Sequence, residues 1–278
     1  MNKLLLVDGS NLLFQMFFGM PARIVSQNNG KPIQGVVGFV GALLRIIKMT
    51  EPTHVLVVFD GEKENERKEL NSDYKSNRID YSNVEDENNP FSQLLMIYDA
   101  LDYLEIKHVE VDKYEADDLI YSYALNFNSG YVIISSYDSD FFQIVSDKIS
   151  VMRYRGKNTI ICDTHYIKER FGVTPEKFID FKALAGDNAD NIKGIKGIGP
   201  KTAAKFINQF GSIENILNCS TATDINKILK AVIDNDELVL QNKRLIRFVN
   251  VELPIEIAEL SYSLKQTNTK EVLRSINI

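Results

Sequence analysis

Three short apolar runs in this chain each lead into a carboxylate: LLLV into Asp8, HVLVVF into Asp60, and YVIISS, two residues on, into Asp138. Runs of four to six residues rich in Val, Ile and Leu suit strands buried on both faces of a sheet. The predicted strands are Leu4–Val7, Val55–Phe59 and Tyr131–Ser135, with a weaker one over Ile106–Val111. Helical patterns lie between them at Val36–Lys48, Phe91–Leu104 and Ala116–Phe127, with Pro90 before the second and Gly130 after the third. This alternation selects an α/β fold, a central and mostly parallel sheet with helices on both faces. Ligands bind such sheets outside the carboxyl ends of the strands, near a switch point. A lone Asp at a strand end is ordinarily a turn or a helix cap. Three of them point to a shared site.

Beyond these elements, Ile149 to Asp163 reads as a β-hairpin turning at Arg155–Asn158. After Thr164 the pattern is mostly helical, so the expected division is 1–170, an α/β core, and 171–278, a helical subdomain. At 278 residues, 44% hydrophobic and 25% charged, the chain has room for one large or two smaller cores, and the composition is that of a globular protein. The longest uncharged apolar run, Val36 to Leu44, is far short of the ~18 residues a membrane span needs. The first apolar stretch stops at Asp8, before a signal peptide takes shape. Cys162 and Cys219 lie far apart without metal-binding spacing and read as buried thiols. A cytoplasmic protein with no membrane partner is expected, monomeric by default.

The acidic residues fall into groups. Besides Asp8 and Asp60 there are Glu115, Asp117 and Asp118 in YEADD, Asp138 and Asp140 in DSD, and Asp187 and Asp190 in GDNAD. On a helix, 115 and 118 would share a face, as would 187 and 190. Asp138 and Asp140 would do so only on a continuing strand. Two carboxylates about 4 Å apart repel by about 4 kcal/mol at an effective dielectric of about 20. Either such groups disperse over the surface or cations hold them together. All-oxygen ligands with no adjacent histidine point to Mg²⁺ or Mn²⁺, and two such ions would clamp a phosphodiester. The net charge of −6 does not oppose this, because setting the nine grouped acids aside leaves +3. Each group also has an ordinary explanation; YEADD, for instance, places favourable charge at a helix start.

The stretch IKGIGPKTAAKFI reads as a hairpin entering a helix near Pro200, with Gly197 and Gly199 permitting close backbone approach. Amide hydrogens at that helix start, with Lys193, Lys196, Lys201 and Lys205 nearby, would grip a nucleic-acid backbone without reading bases. The segment 61–89 is charged and thin in apolar residues. As a helix it would set Lys63, Arg67, Tyr74, Lys75 and Arg78 along one broad face. Such a face is either simply solvated or an arch around a single strand, with Tyr74 stacking on a base.

The strings LLLVDGSNLLF, EPTHVLVVFDGE, YKSNR, YEADDLI, ISSYDSDFFQIV, ALAGDNADNIKGIKGIGPKTA and NKRLIRFVNVELP run in order over nearly the whole chain. Together they resemble the 5′-nucleases of the flap endonuclease superfamily, as in the 5′–3′ exonuclease domain of bacterial DNA polymerases and stand-alone flap endonucleases. The resemblance implies a PIN/5′-nuclease-like core, a helical arch at about 61–90 and a helix-hairpin-helix subdomain. It implies one metal site around Asp8, Asp60, Glu115 and Asp117, with Asp118 as ligand or support, and a second around Asp138, Asp140, Asp187 and Asp190. Lys75 and Arg78 would be catalytic, with Arg67 and Tyr74 contacting DNA. The carbonyls of Leu184, Ala185, Lys193, Ile195 and Ile198 would hold K⁺. Gly197, Ile198, Gly199, Pro200, Lys201 and Thr202 would touch the duplex.

The implied activity is Mg²⁺-dependent hydrolysis at 5′ flaps and 5′ ends of branched or nicked DNA, leaving 5′-phosphates, with RNA in RNA–DNA hybrids as a further substrate. The chain departs from the pattern at two positions. Gln15 stands where relatives usually carry Arg at a phosphate contact, and Tyr137 replaces the Gly common before the Asp-x-Asp pair. The alternatives are a non-catalytic DNA-structure binder that keeps the fold and a phosphatase with an Asp nucleophile. The latter leaves the hairpin unexplained.

Overall fold

A computed structural model describes residues 2–28, 30–61, 66–219, 227–263 and 265–278. Its sheet is built from β1 (Asn2–Asp8), β2 (His54–Asp60), β3 (Lys107–Val111), β4 (Gly130–Ser135), β5 (Ile149–Arg153) and β6 (Ile160–Cys162), in the order β3-β2-β1-β4-β5-β6. Every neighbouring pair is parallel except β5 with β6, the predicted hairpin. The chain leaves β1 towards β2 on one side and later returns to β4 on the other. The switch point therefore lies at the carboxyl end of β1, beside Asp8.

Period-two alternation divides the strands between two apolar layers. Leu4, Leu6, Leu56, Val58, Val132 and Ile134 pack into one layer; Leu5, Val7, Val55, Val57 and Phe59 pack into the other. Both faces are covered, which is why the strands read as unbroken apolar runs. Burying each such side chain contributes about 1.5–3 kcal/mol. The second layer is covered by α1 (Gly9–Gly19), α2 (Gln34–Thr50) and, after α3 (Glu66–Leu70), by α4 (Leu94–Tyr103). The first is covered by α5 (Ala116–Asn126) and by the helices that follow. Among the described residues, no helix is long and apolar enough to cross a membrane.

Those later helices are α6 (Thr164–Phe171), α7 (Phe178–Ala185), α8 (Pro200–Phe210), α9 (Ile213–Asn218), α10 (Lys227–Ile233) and α11 (Asp236–Ile246). A two-residue ladder, β7 (Gly186–Asp187) with β8 (Ile192–Lys193), closes the turn after α7. From Val249 the chain leaves the helices and runs back along α5. The N–H groups of Val251 and Ile255 donate to the Ser122 and Tyr123 hydroxyls at 2.8 and 3.1 Å. Tyr262 N–H then reaches Thr53 O at 2.8 Å. The last helix, α12 (Thr269–Ser275), opens with an Asn268/Glu271 capping box and buries Val272 in the α2/α4 layer. The end of the chain thus belongs to the far face of the α/β core.

The segment after Gly61 is not one helix. Past α3 it proceeds by turns in which side chains compete with helical hydrogen bonds. Asn71 Oδ1 accepts from Asp73 N–H and Asp80 Oδ1 from Ser82 N–H, both at 2.9 Å, and Lys75 takes φ +53°. The continuous face proposed for residues 63–78 therefore does not form, and Lys63 lies outside the described residues.

Candidate metal centre and hairpin

Asp8 closes β1 and caps α1: its Oδ1 accepts from Asn11 N–H at 2.9 Å and its Oδ2 from the Ser136 hydroxyl at 2.8 Å. Ser136 Oγ also accepts from Asp138 N–H at 3.0 Å, so one serine ties the ends of β1 and β4 together. Asp60 closes β2, and its Oδ1 accepts from Ala116 N–H at 3.0 Å, which fixes the start of α5 beside it. Asp138 and Asp140 do not lie on a continuing strand. β4 ends at Ser135, and Asp138 Oδ1 accepts from Asp140 N–H at 2.7 Å as the chain enters a 3-10 turn. Nor do Asp187 and Asp190 share a helix; the first is in β7 and the second in the turn that follows. Carboxylate oxygens of Asp138, Asp140 and Asp190 nonetheless come within 4.8 Å of one another.

The charges conflict as such proximity requires. Burial first, then Asp60, pushes Asp8 up to about 7 despite the Asn11 and Ser136 bonds. Burial likewise raises Asp140 to about 7, with Lys182 opposing and Asp138 adding to the shift. Asp117 is driven well above the usual carboxylate range by burial, Asp138, Asp8 and Asp60. Asp190 is raised by burial and Asp138. Carboxylates that favour protons at neutral pH are carboxylates short of cations. An all-oxygen donor set of this density fits a hard divalent ion.

Lys182 supplies part of the missing charge. It is 5% exposed on α7, and its Nζ pairs with both Asp140 and Asp187. Burial alone would raise Asp187, but Lys182 holds it below the ordinary range. The sequence reading passed over this lysine. The available signal was a lysine amid Phe181, Ala183 and Leu184, where a helix face is otherwise apolar.

Glu115 and Asp118 have cationic partners of their own. Both reach Arg67, as their i, i+3 spacing allows: Nη1 lies 2.9 Å from Glu115 Oε2, and Asp118 takes both guanidinium nitrogens at 2.7 Å. Arg67 Nε and Nη2 also donate to the carbonyls of Leu245 and Arg247. At 7% exposed, Arg67 braces α3, α5 and the end of α11 and is not open to a phosphate. Tyr74 is 3% exposed, with its hydroxyl 3.2 Å from Glu115 Oε2, so its ring is not offered to a base as expected. Two cations of the same segment do adjoin the cluster. Lys75 Nζ lies 2.7 Å from Glu115 Oε1 with its N–H on Asp190 O, and the half-exposed Arg78 reaches Asp190 Oδ1 at 3.0 Å.

The hairpin is made of backbone. Gly186 and Gly197 take φ +80° and +87°, values that suit glycine. A side chain at Gly194 would strike the Ala185 carbonyl. Ile192, Ile195 and Ile198 anchor the loop in the core, while Lys193, Lys196, Lys201 and Lys205 are exposed. Pro200 opens α8, capped by Gly199. Of the five carbonyls expected to hold K⁺, that of Leu184 accepts from Ile195 N–H at 3.0 Å and that of Ile195 from Ile198 N–H at 2.9 Å. That of Lys193 accepts from Asn242 Nδ2 at 2.8 Å. Asn242, 1% exposed on α11, also donates to Ala183 O at 3.0 Å; it too went unread in the sequence.

A parallel sheet with carboxylates gathered at its switch point, joined to a helix-hairpin-helix, is the architecture of a 5′-nuclease. The chain belongs to the 5′-3′ exonuclease family: the family's N-terminal resolvase-like domain matches residues 3–172 and its C-terminal SAM-fold domain residues 173–270. It is 32% identical to DNA polymerase I of Bacillus subtilis over 98% of this chain, and 34% identical to the thermostable DNA polymerase I of Thermus thermophilus over 92%. In each case it spans 30% of the relative's length. Among solved structures it is similar to the bacteriophage T5 D15 flap endonuclease in complex with DNA and metal ions. That match has a TM-score of 0.70 and 25% identity, covering 88% of this chain and 89% of the other.

Proposed function

We propose that this protein is a divalent-metal-dependent phosphodiesterase acting on 5′ flaps and 5′ ends of branched or nicked DNA in the cytoplasm. The observation that carries the reading is the convergence of Asp138, Asp140 and Asp190, with Asp8, Asp60 and Asp117 electrostatically coupled to them. Asp8, Asp60 and Asp117 would hold one Mg²⁺ or Mn²⁺, and Asp138, Asp140, Asp187 and Asp190 another. Such ions supply Lewis-acid stabilisation of phosphoryl charge and acidify water.

The chain's own groups do the rest. Lys75 and Arg78, poised on Glu115 and Asp190, place positive charge beside the phosphate to be cut. Lys182 holds Asp187 ionised and keeps Asp140 and Asp187 in place. The amides and lysines from Gly197 to Thr202 hold the duplex by its backbone. Glu115 and Asp118 act through Arg67, and Tyr74 through Glu115, as supports of the arch segment. K⁺ at the hairpin would use the second lone pairs of the Leu184, Lys193 and Ile195 carbonyls, together with Ala185 and Ile198. RNA in RNA–DNA hybrids is a further substrate on this reading, which requires the backbone grip to accommodate a 2′-hydroxyl.

The experiment is cleavage of a 5′-labelled double-flap DNA in Mg²⁺, with and without EDTA, beside a blunt duplex. A metal-dependent cut near the flap junction is expected. Tight, salt-sensitive binding without cutting in Mg²⁺ or Mn²⁺ would leave a structure binder and overturn the assignment.

A further inference from the structure

The arch segment and the loop of the second acidic group hold one another by reciprocal side-chain bonds. Asn191 Nδ2 donates to the Asp73 carbonyl at 2.8 Å and to the Ser76 hydroxyl oxygen at 3.0 Å. In return, Asn77 Nδ2 donates to the carbonyls of Asn188 and Ala189 at 3.1 and 3.4 Å. Each asparagine thus bonds the main chain of the stretch that carries the other. Asp190 lies between them, 3% exposed, with its carbonyl on Lys75 N–H and its carboxylate on Arg78. Lys193 Nζ adds a looser pair with Asp73 at 3.7 Å.

These bonds do little for stability. Asn77 is exposed and Asn191 half-buried, and water would serve their partners nearly as well. The backbone is nevertheless bent at this clasp: Lys75 and Asn191 take φ +53° and +55°. Asparagine tolerates that left-handed region, whereas a lysine enters it at a cost in free energy and stays only where its surroundings hold it. The two cations of the segment cannot do all of that holding. Lys75 Nζ and Arg78 Nη2 are paired with Glu115 and Asp190, and to face a phosphate they must give up those partners. The asparagine bonds involve no charged group, so they persist while the cations change partners.

We propose that Asn77 and Asn191 are positioning residues that keep Lys75 and Arg78 against the second group of acids while the two cations turn to the phosphate being cut. The proposal rests on the nuclease reading and adds two uncharged residues that act through the cations.

The test is single-turnover cleavage of the double-flap DNA by Asn77→Ala and by Asn191→Gly, glycine being able to keep φ +55° without the side chain. Each should lower the rate at saturating enzyme at least about tenfold, because small displacements of a catalytic group are costly. Affinity for the flap in EDTA should stay within about twofold and the melting temperature within about 3 °C. With Lys75→Met and Arg78→Met already in place, Asn191→Gly should change the residual rate by less than about twofold, since nothing is left to position. Rates within about twofold of wild type in both single variants would overturn the proposal, as would an undiminished effect in that double-methionine background. Amide hydrogen exchange separates the clasp from the nuclease reading. Either variant should speed exchange about fivefold in both 73–78 and 187–191. A change confined to the mutated stretch would overturn the proposal whether or not the protein cuts. Failure of the wild-type protein to cut the flap counts against the nuclease reading, and exchange then decides the clasp alone.

Discussion

Helix α7 carries Lys182 into the carboxylate cluster and, one turn later, delivers the backbone of the hairpin, so the two regions can be compared across a single element. The cluster is made of side chains contributed by β1, β2, α5, the turn after β4, β7 and the turn after it, all buried or half-buried and most of them held by a neighbour's hydrogen bond. The hairpin is made of main chain, anchored by three isoleucines and fringed with exposed lysines. Charge density defines the first and backbone shape the second. A site that does chemistry on phosphate needs fixed charges in low dielectric. A site that only grips phosphate works in water, with amides and mobile lysines. The two should therefore fail separately.

The largest separation is expected for Asp140→Ala. Cleavage should fall at least about a hundredfold, while affinity for flap DNA in EDTA stays within about twofold. Equal losses in both assays would break the comparison. Lys182→Met sharpens it through stability. Removing one partner of a buried ion pair costs about 3–5 kcal/mol, which lowers the melting temperature by about 10 °C in the metal-free protein. Calorimetry should show Mg²⁺ restoring much of that loss, and no restoration would mean the ion does not bind there.

Gly197→Ala places a Cβ at φ +87° and should cost about tenfold in duplex affinity, with kcat on saturating substrate retained. The acids provide a pH signature. Asp8 and Asp140 are raised from 3.8 to about 7 in the folded chain, so between those values the folded state binds more protons than the unfolded one. Stability is complete below about pH 4 for these groups and is lost as pH rises through about 7. Without metal, the melting temperature should drop by about 10–20 °C between pH 5 and 8; with Mg²⁺ the slope should flatten. A flat metal-free profile would argue against the crowding of charge. The smallest effect is that of Lys201→Ala, which should weaken binding a few-fold and reduce the slope of log affinity against log salt by about 1.

The strands were legible because burial on both faces writes itself as unbroken apolar runs, and the three Asp residues that follow them converge as the topology demands. Helix α1 was not. Its sequence LLFQMFF is apolar on every side, because Leu12, Leu13 and Phe17 enter the core while Phe14 packs outward on Tyr81 and Phe91. With no polar face, no helical period stands out. The acids of the cluster were legible as a set, but the spacing that put Glu115 and Asp118 on one face did not say which face. Arg67, 48 residues upstream, decides that. Tyr74 sits in so polar a stretch that exposure was the natural reading. It is buried in the first core layer with its hydroxyl on Glu115, 41 residues on, a contact that sequence neighbours do not encode.

The return of residues 262–278 to the far face of the sheet bears on how the protein is made. As the chain leaves the ribosome, everything needed for the strands and α1 to α5 has emerged by about residue 170, yet Val272 of α12 still has to arrive to seal the α2/α4 layer. At about 5–20 residues per second, that face waits about 5–20 s with part of its apolar surface bare. The core is completed by a helix synthesised after the whole hairpin subdomain.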